Sequence, residues 1–356
     1  MLDKTEHFRD IFVIGGSAGA IEELRTLLHE IDENFKGILF VAIHLSPYSK
    51  SELDLILGRE CKIPVKFAQH KEKFEPGHVY LAVPNRHFLV DEDCMYLTNG
   101  PRENRSKPAI DPLFRSAAVS MQQRVTGILL SGNLDDGSAG LLAVKDCGGE
   151  TLIQKPETAR FPDMLHNARA VAPIDNICNI REMGQFINKT AKEKANPKSR
   201  FIPENLKLEV DISLKAQSDI DLQNQLGSQV PFICPECNGP LWEMKDKRIK
   251  RYRCHTGHAY TLKNLAAGQE ESIEEALWAA LRTLEEKIRT LNTIAEVGES
   301  GVNYTEENAV LQDKIENAHK YIDTLRKFLL KFEGEHGDAP NTEEAPASEA
   351  VLSDEE

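Results

Sequence analysis

The sequence predicts an α/β fold, a doubly wound and mostly parallel sheet, followed by a small cysteine–histidine ribbon-like module and an α-helical hairpin. Three observations predict it. Across residues 1–188, short apolar runs without polar alternation recur between helix-like segments, as strands buried on both faces do. Cysteines and histidines pair up at close spacing within 230–266. Two heptad-spaced stretches occupy 267–332.

Taken in order, "DIFVIGG" (10–16) is a strand closed by glycines, and "IEELRTLLHEI" (21–31) carries apolar residues at helical spacing. "GILFVAIH" (37–44) is a second buried strand, "LDLILGR" (53–59) a helix and "HVYLAVP" (78–84) a strand. "DPLFRSAAVSMQQR" (111–124) reads as a helix that feeds the strand "VTGILLSG" (125–132). "SAGLLAVKDCGG" (138–149) is a helix with a glycine stop before the strand "ETLIQ" (150–154). Residues 189–229 turn polar and read as a linker. In the hairpin, Ile273, Leu277, Ala280, Leu284, Ile288 and Leu291 form one apolar seam. Leu311, Ile315, Ala318, Ile322, Leu325 and Leu329 form the other. Ser272 and Glu275 have the form of a capping box, and Gly298 and Gly301 separate the helices. The segment 333–356 holds nine acidic residues and no Lys or Arg, and reads as a disordered acidic tail. It carries most of the net charge of −14, so the folded part is only mildly acidic and offers no basic face for nucleic acid. The polar start "MLDKTEHFRD" has no signal-peptide character, and no apolar run is long enough for membrane insertion. Seven cysteines, four of them scattered singly, fit a reducing cytoplasm.

In such a sheet, functional residues gather where strands end. Ser17 follows the first strand, His44 the second, and Asp135 and Asp136 the strand at 125–132. A hydroxyl, an imidazole and a carboxylate are the set required for nucleophilic acyl transfer. Gly15-Gly16-Ser17-Ala18-Gly19 matches G-x-S-x-G, and the helix that follows turns its free N–H groups toward a developing oxyanion. The same stretch has the look of a phosphate loop, but its glycine spacing is not G-x-G-x-x-G. The order Ser…His…Asp also differs from that of the common α/β-hydrolases. His78 and His87 read as surface or core residues, and His166 as a helical residue that can approach the site.

At these residues the sequence resembles the chemotaxis methylesterase (CheB-type) family, over roughly 8–190. The resemblance is carried by "VIGGSAG", "VAIHLSP", "PGHVYLAVPNRHFLV" (76–90), "PAIDPLFRSAA" (108–118) and "LLSGNLDDGSAGLLAVKDCGG" (129–149). It implies Ser17 as nucleophile, His44 as base and Asp136, rather than Asp135, as triad acid. Catalysis would need no cofactor. The implied reaction is hydrolysis of glutamate methyl esters on cytoplasmic helices of chemoreceptors, releasing methanol, and some relatives also deamidate receptor glutamines. A chemotaxis-type methyltransferase would be the opposing enzyme. The family's Gly-Met-Gly is Gly132-Asn133-Leu134 here, so the backbone amides of Ala18 and Asn133 are the expected oxyanion donors. Chemotaxis enzymes carry an N-terminal receiver domain; the first catalytic strand here begins near residue 10, so none is expected. The competing reading is a catalytically silent module that binds a receptor or signalling helix.

Cys234-x2-Cys237 and Cys254-His255-x2-His258 bracket 16 residues, a spacing suited to a tetrahedral structural zinc. Stand-alone members of the resembled family show similar segments, which makes His258 the fourth ligand in preference to His255. Phe232, Trp242 and Tyr252 are the expected mini-core of this zinc-ribbon-like module.

Overall fold

The computed structural model describes residues 8–46, 51–195, 202–246, 248–299 and 308–336. They divide into two compact units, Met1–Gly268 and Gln269–Glu356.

The first unit opens with β1 (Ile11–Gly16), α1 (Ala20–His29), β2 (Ile38–Ile43), α2 (Leu53–Gly58), β3 (Val65–Phe67) and β4 (His78–Leu81). A hairpin of β5 (His87–Val90) and β6 (Met95–Thr98) leads into α3 (Ile110–Met121). There follow β7 (Val125–Leu129), α4 (Ser138–Asp146), β8 (Glu150–Gln154), α5 (Asp163–Val171), β9 (Asn176–Cys178) and α6 (Ile180–Thr190). Seven strands form one parallel sheet in the order β3-β4-β2-β1-β7-β8-β9. Alternate residues of β1 enter different cores. Ile11 and Val13 pack with Ile110, Phe114 and Leu141, from α3 and α4, and Phe12 and Ile14 pack with Leu24, Leu28 and Met183, from α1 and α6. Helices on both faces explain why the strand runs are apolar at every position.

The polar segment 189–229, which reads as a linker, instead holds helices in its described residues. It carries α7 (Glu204–Lys215) and α8 (Ile220–Leu226), and α6 reaches Thr190. Its polar residues mislead because several are buried in pairs: Glu209, Ser213 and Gln223 are all inside. Then β10 (Gly227–Ile233), β11 (Pro240–Met244), β12 (Arg251–Cys254) and β13 (Ala259–Thr261) form a four-stranded antiparallel ribbon. Trp242 and Tyr252 are buried as expected, but Phe232 is exposed and only its edge meets Tyr252. The ribbon's core is Cys234, Leu241, Tyr252, Cys254, Tyr260 and Leu265.

The ribbon is joined to the sheet domain by buried charge. Glu103, ahead of α3, accepts from Arg115 of α3 at 2.7 Å and from Arg253 of β12 at 3.0 Å. Glu209 of α7 takes a two-pronged bond from Arg251 of β12 at 2.7 and 2.9 Å. Burial raises the pKa of both carboxyls, but the guanidiniums outweigh it and hold them below the usual range.

The second unit contains α9 (Leu262–Glu299) from Gln269 onward and α10 (Asn308–His336). Helix α9 already begins at Leu262, so Ser272 lies inside it and not at its N-terminus. The seam runs through Leu277, Leu281, Leu284, Ile288 and Leu291 against Leu311, Ile315, Ala318, Ile322, Leu325 and Leu329. Ile273 and Ala280 are exposed. Leu281 replaces Ala280 because it keeps the strict four–three step and buries a larger side chain. Residues 300–307, with Gly301, and the part of the expected acidic tail from 337 on lie outside the described residues.

Removing one partner of a buried pair strands the other charge. Arg251→Ala is expected to cost about 3–5 kcal/mol, read as a lower urea midpoint. For Glu103 and Glu209, a lowered folded pKa means the pairs stabilise fully above the ordinary glutamate value near 4.5. Stability is therefore expected to fall as pH drops below that value, and Arg251→Ala should flatten the acid loss.

Candidate active site and metal site

From β1 the chain passes to β2 on one side and later to β7 on the other, so strand order reverses at β1. Residues leaving the carboxyl ends of these three strands converge there. Ser17 follows β1, His44 follows β2 and Asp136 follows β7. Ser17 Oγ lies 3.0 Å from His44 Nδ1, and Asp136 Oδ2 lies 2.8 Å from His44 Nε2. With Nε2–H donating to the carboxylate, the Nδ1 lone pair is left to accept from the serine hydroxyl.

Glycines make the convergence possible. Gly19 has φ 75°, a left-handed turn into α1 that an L side chain resists. A Cβ on Gly15 would come within 2.3 Å of Ile110, so glycine there lets the start of α3 approach β1. That approach brings the Ile110 amide to 2.7 Å from Asp136 Oδ2. Asp136 is buried, and its Oδ1 accepts from Asn104 Nδ2 at 2.8 Å and from the Gly137 amide at 2.9 Å. Burial raises its pKa, but the bonds and charge of His44, the Ile110 amide and Asn104 outweigh it and hold the carboxyl below its ordinary value.

Two further carboxylates lie close by. Asp111 of α3 accepts from the Gly140 amide at 2.6 Å and from Asn104 at 2.9 Å. Burial, reinforced by the charge of Asp136, pushes its pKa up. Asp135 faces away from the imidazole and accepts from Thr261 Oγ1 and Asn264 Nδ2, both at 2.6 Å. The motif spacing left these adjacent aspartates open; in the structure it is Asp136 that meets His44. Asn104 escapes motif reading, whereas Asp111 lies in the family-like segment "PAIDPLFRSAA" with nothing there to single it out.

Of the backbone amides near Ser17, its own N–H donates to Ser131 O, and the Gly132 N–H donates to Phe161 O, each at 2.9 Å. Among the described residues the Ala18 and Asn133 amides have no such acceptor. Leu134 is held at φ 60° with its carbonyl accepting from Asn167 Nδ2 at 2.6 Å. His166 is exposed on α5, His78 stacks on Tyr80, and His87 is buried with Nε2 against Pro101 O at 2.8 Å.

In the ribbon, the ligand atoms of Cys234, Cys237, Cys254 and His258 all lie within 4.8 Å of one another. Cys237 Sγ is 3.7 Å from Cys254 Sγ, and Cys254 Sγ is 3.6 Å from His258 Nδ1. A tetrahedron with Zn–S near 2.3 Å and Zn–N near 2.0–2.1 Å has edges of about 3.6–3.8 Å, which these two separations match, and three thiols with one imidazole are a donor set suited to zinc. His255 stands outside the cluster, with its ring beside Gly239. Glu236 Oε2 lies 3.4 Å from the far nitrogen of His258, as an orienting carboxylate does.

The CheB methylesterase family model matches residues 12–187. A Leptospira interrogans protein named "putative protein-glutamate methylesterase/protein-glutamine glutaminase" is 32% identical over 178 residues, which are 50% of this chain and 92% of that one. The chain belongs to the CheB methylesterase family. Relatives named as protein-glutamate methylesterase/protein-glutamine glutaminase from Geobacter metallireducens (34% identical over 177 residues) and Paraburkholderia xenovorans (33% over 182) are matched over 48% and 50% of their lengths. The chain thus spans about half of these two. It is also similar to the crystal structure of the Thermotoga maritima CheB methylesterase catalytic domain, at 24% identity and TM-score 0.49, covering 51% of this chain and 97% of that one. The ribbon lies beyond the matched residues.

A left-handed leucine stores about 1–2 kcal/mol that glycine does not. Leu134→Gly is therefore expected to leave the unfolding midpoint unchanged or raised, against the loss usual for truncating a half-buried leucine. Thermal unfolding of the two proteins checks this.

Proposed function

We propose that the chain is a serine esterase that hydrolyses glutamate methyl esters on chemoreceptor helices. The observation that carries this is the Ser17–His44–Asp136 hydrogen-bonded chain, in a sequence 32% identical to a relative named for that activity. Ser17 Oγ attacks the ester carbonyl while His44 Nδ1 takes its proton. Asp136 holds the ring and stabilises the imidazolium. The amides of Ala18 and Asn133 bind the tetrahedral oxyanion. His44 then returns the proton to the departing methoxide, which leaves as methanol. A water, deprotonated by His44, cleaves the acyl-serine to the free glutamate and restores the hydroxyl. The same steps on a glutamine side chain release ammonia, in line with the glutaminase half of the relatives' names. No step calls for a cofactor. The opposing reaction is the methylation of the same glutamates by a methyltransferase. A cytoplasmic location suits receptor helices on that side, and no described helix is long and apolar enough to cross a membrane.

We propose further that Cys234, Cys237, Cys254 and His258 hold a structural zinc. Four protein donors close the coordination sphere and leave no position for substrate. The metal would staple a small module whose own core is only a few side chains.

Methanol release from methylated receptor fragments tests the esterase. Ser17→Ala and Asp136→Asn are each expected to lower kcat by about 10⁴-fold or more. Equal rates in wild type and Ser17→Ala would remove the assignment and favour the silent binding module. Metal analysis should give about one zinc per chain, lost in Cys237→Ser.

A further inference from the structure

The ester mechanism uses His44 on one oxygen of Asp136, but the other oxygen is equally occupied. Asn104 Nδ2 lies 2.8 Å from Asp136 Oδ1 and 2.9 Å from Asp111 Oδ2. One side-chain amide therefore donates to two buried carboxyl groups at once. Its orientation is fixed from the ribbon. Asn104 Oδ1 accepts the backbone N–H of Thr261 at 3.0 Å, so the NH2 group must face the carboxylates. The Asn104 backbone N–H in turn donates to Ala259 O at 2.7 Å, across the same strand β13. The residue is buried and sits at φ 50°, a left-handed conformation that asparagine tolerates better than most side chains. It stands on the side of Asp136 away from the imidazole, and none of its bonds reaches Ser17.

We propose that Asn104 is the positioning residue of the triad. It holds Asp136 in the plane that meets His44 Nε2, and it is the route by which the cysteine–histidine ribbon reaches the ester chemistry. This rests on the esterase reading given above. Without its NH2 group, Asp136 Oδ1 loses a donor to a buried charge. Such bonds contribute roughly 1.5–3 kcal/mol, equivalent to about 10- to 150-fold in rate.

The test uses the full chain and two variants. Asn104→Gly keeps the left-handed backbone without strain and deletes the amide. Asn104→Asp keeps the shape and removes the donor. Both are expected to lower kcat for methanol release by about 10- to 100-fold, with KM changed less than about threefold. The second readout is the imidazole N–H proton shared by His44 and Asp136, followed by proton NMR at low temperature. It is expected far downfield in wild type and in Ser17→Ala, and shifted upfield or broadened in both Asn104 variants. Wild-type kcat with an unmoved resonance would overturn the proposal. So would a lower unfolding midpoint whose only accompaniment is a proportionate loss of folded enzyme, with the resonance unmoved. If wild type releases no more methanol than Ser17→Ala, the esterase reading fails instead, and the proton resonance still decides the role of Asn104.

Discussion

The arrangement depends on keeping one carboxylate ionised where water cannot reach it. Asp136 is about 2% exposed, and an unpaired charge at such a depth takes up a proton sooner than stay charged. Five donors prevent that: the His44 ring, the Ile110, Asp111 and Gly137 amides and the Asn104 side chain. The ring follows β2, the Ile110 and Asp111 amides open α3, and Asn104 belongs to the loop ahead of α3; only the Gly137 amide is a chain neighbour of Asp136. The sheet topology therefore matters to the site chiefly because it brings the end of β2 and the start of α3 to the carboxylate that follows β7. Gly15 shows how local that demand is, since any Cβ there would push α3 and its amide away.

The ribbon belongs to the same constraint. It is not tethered to the sheet domain as a separate body but shares its interior, through Arg253 on Glu103, Arg251 on Glu209, and Thr261 and Asn264 on Asp135. Within this cluster, two glutamates face three arginines, and the adjacent Asp111 and Asp135 supply further carboxyls. Buried ion pairs are poor sources of net stability, because desolvation offsets most of the attraction. What they do supply is register: a planar guanidinium with two prongs on Glu209 fixes how β12 lies against α7. That register sets where β13 falls, and β13 carries the Thr261 amide that turns Asn104.

The parts legible in the sequence are those with a period or a terminus. The strands announce themselves as apolar runs, because a sheet covered on both faces has no polar side. Ser17, His44 and the two aspartates are visible because they leave strand ends, and the cysteine–histidine cluster because its four donors fall in two close-spaced pairs. Paired burial is what stays hidden. Glu209, Arg251 and Arg253 have the composition of a solvated surface, and only the three-dimensional partner reveals them as core. The polar stretch at 189–229 reads as a linker for that reason, although it contains α7 and α8. The hairpin seam illustrates a milder form: Ala280 and Leu281 both satisfy an apolar pattern, and side-chain volume together with the strict four–three step decides between them.

The two neighbouring aspartates show why a motif alone underdetermines the site. Asp135 and Asp136 are consecutive and both buried, yet one meets β13 and the start of α9 while the other meets the imidazole. Leu134, at φ 60°, turns the chain just before the pair. Asn167 of α5 pins it by bonding the Leu134 carbonyl, and Lys263, in the first turn of α9, donates to Asn167. So the loop that aims Asp136 at His44 is held from α5 and from the helix that follows the ribbon. A leucine where the resembled family has glycine is then tolerable, because a network larger than the loop imposes the conformation that glycine would adopt unaided.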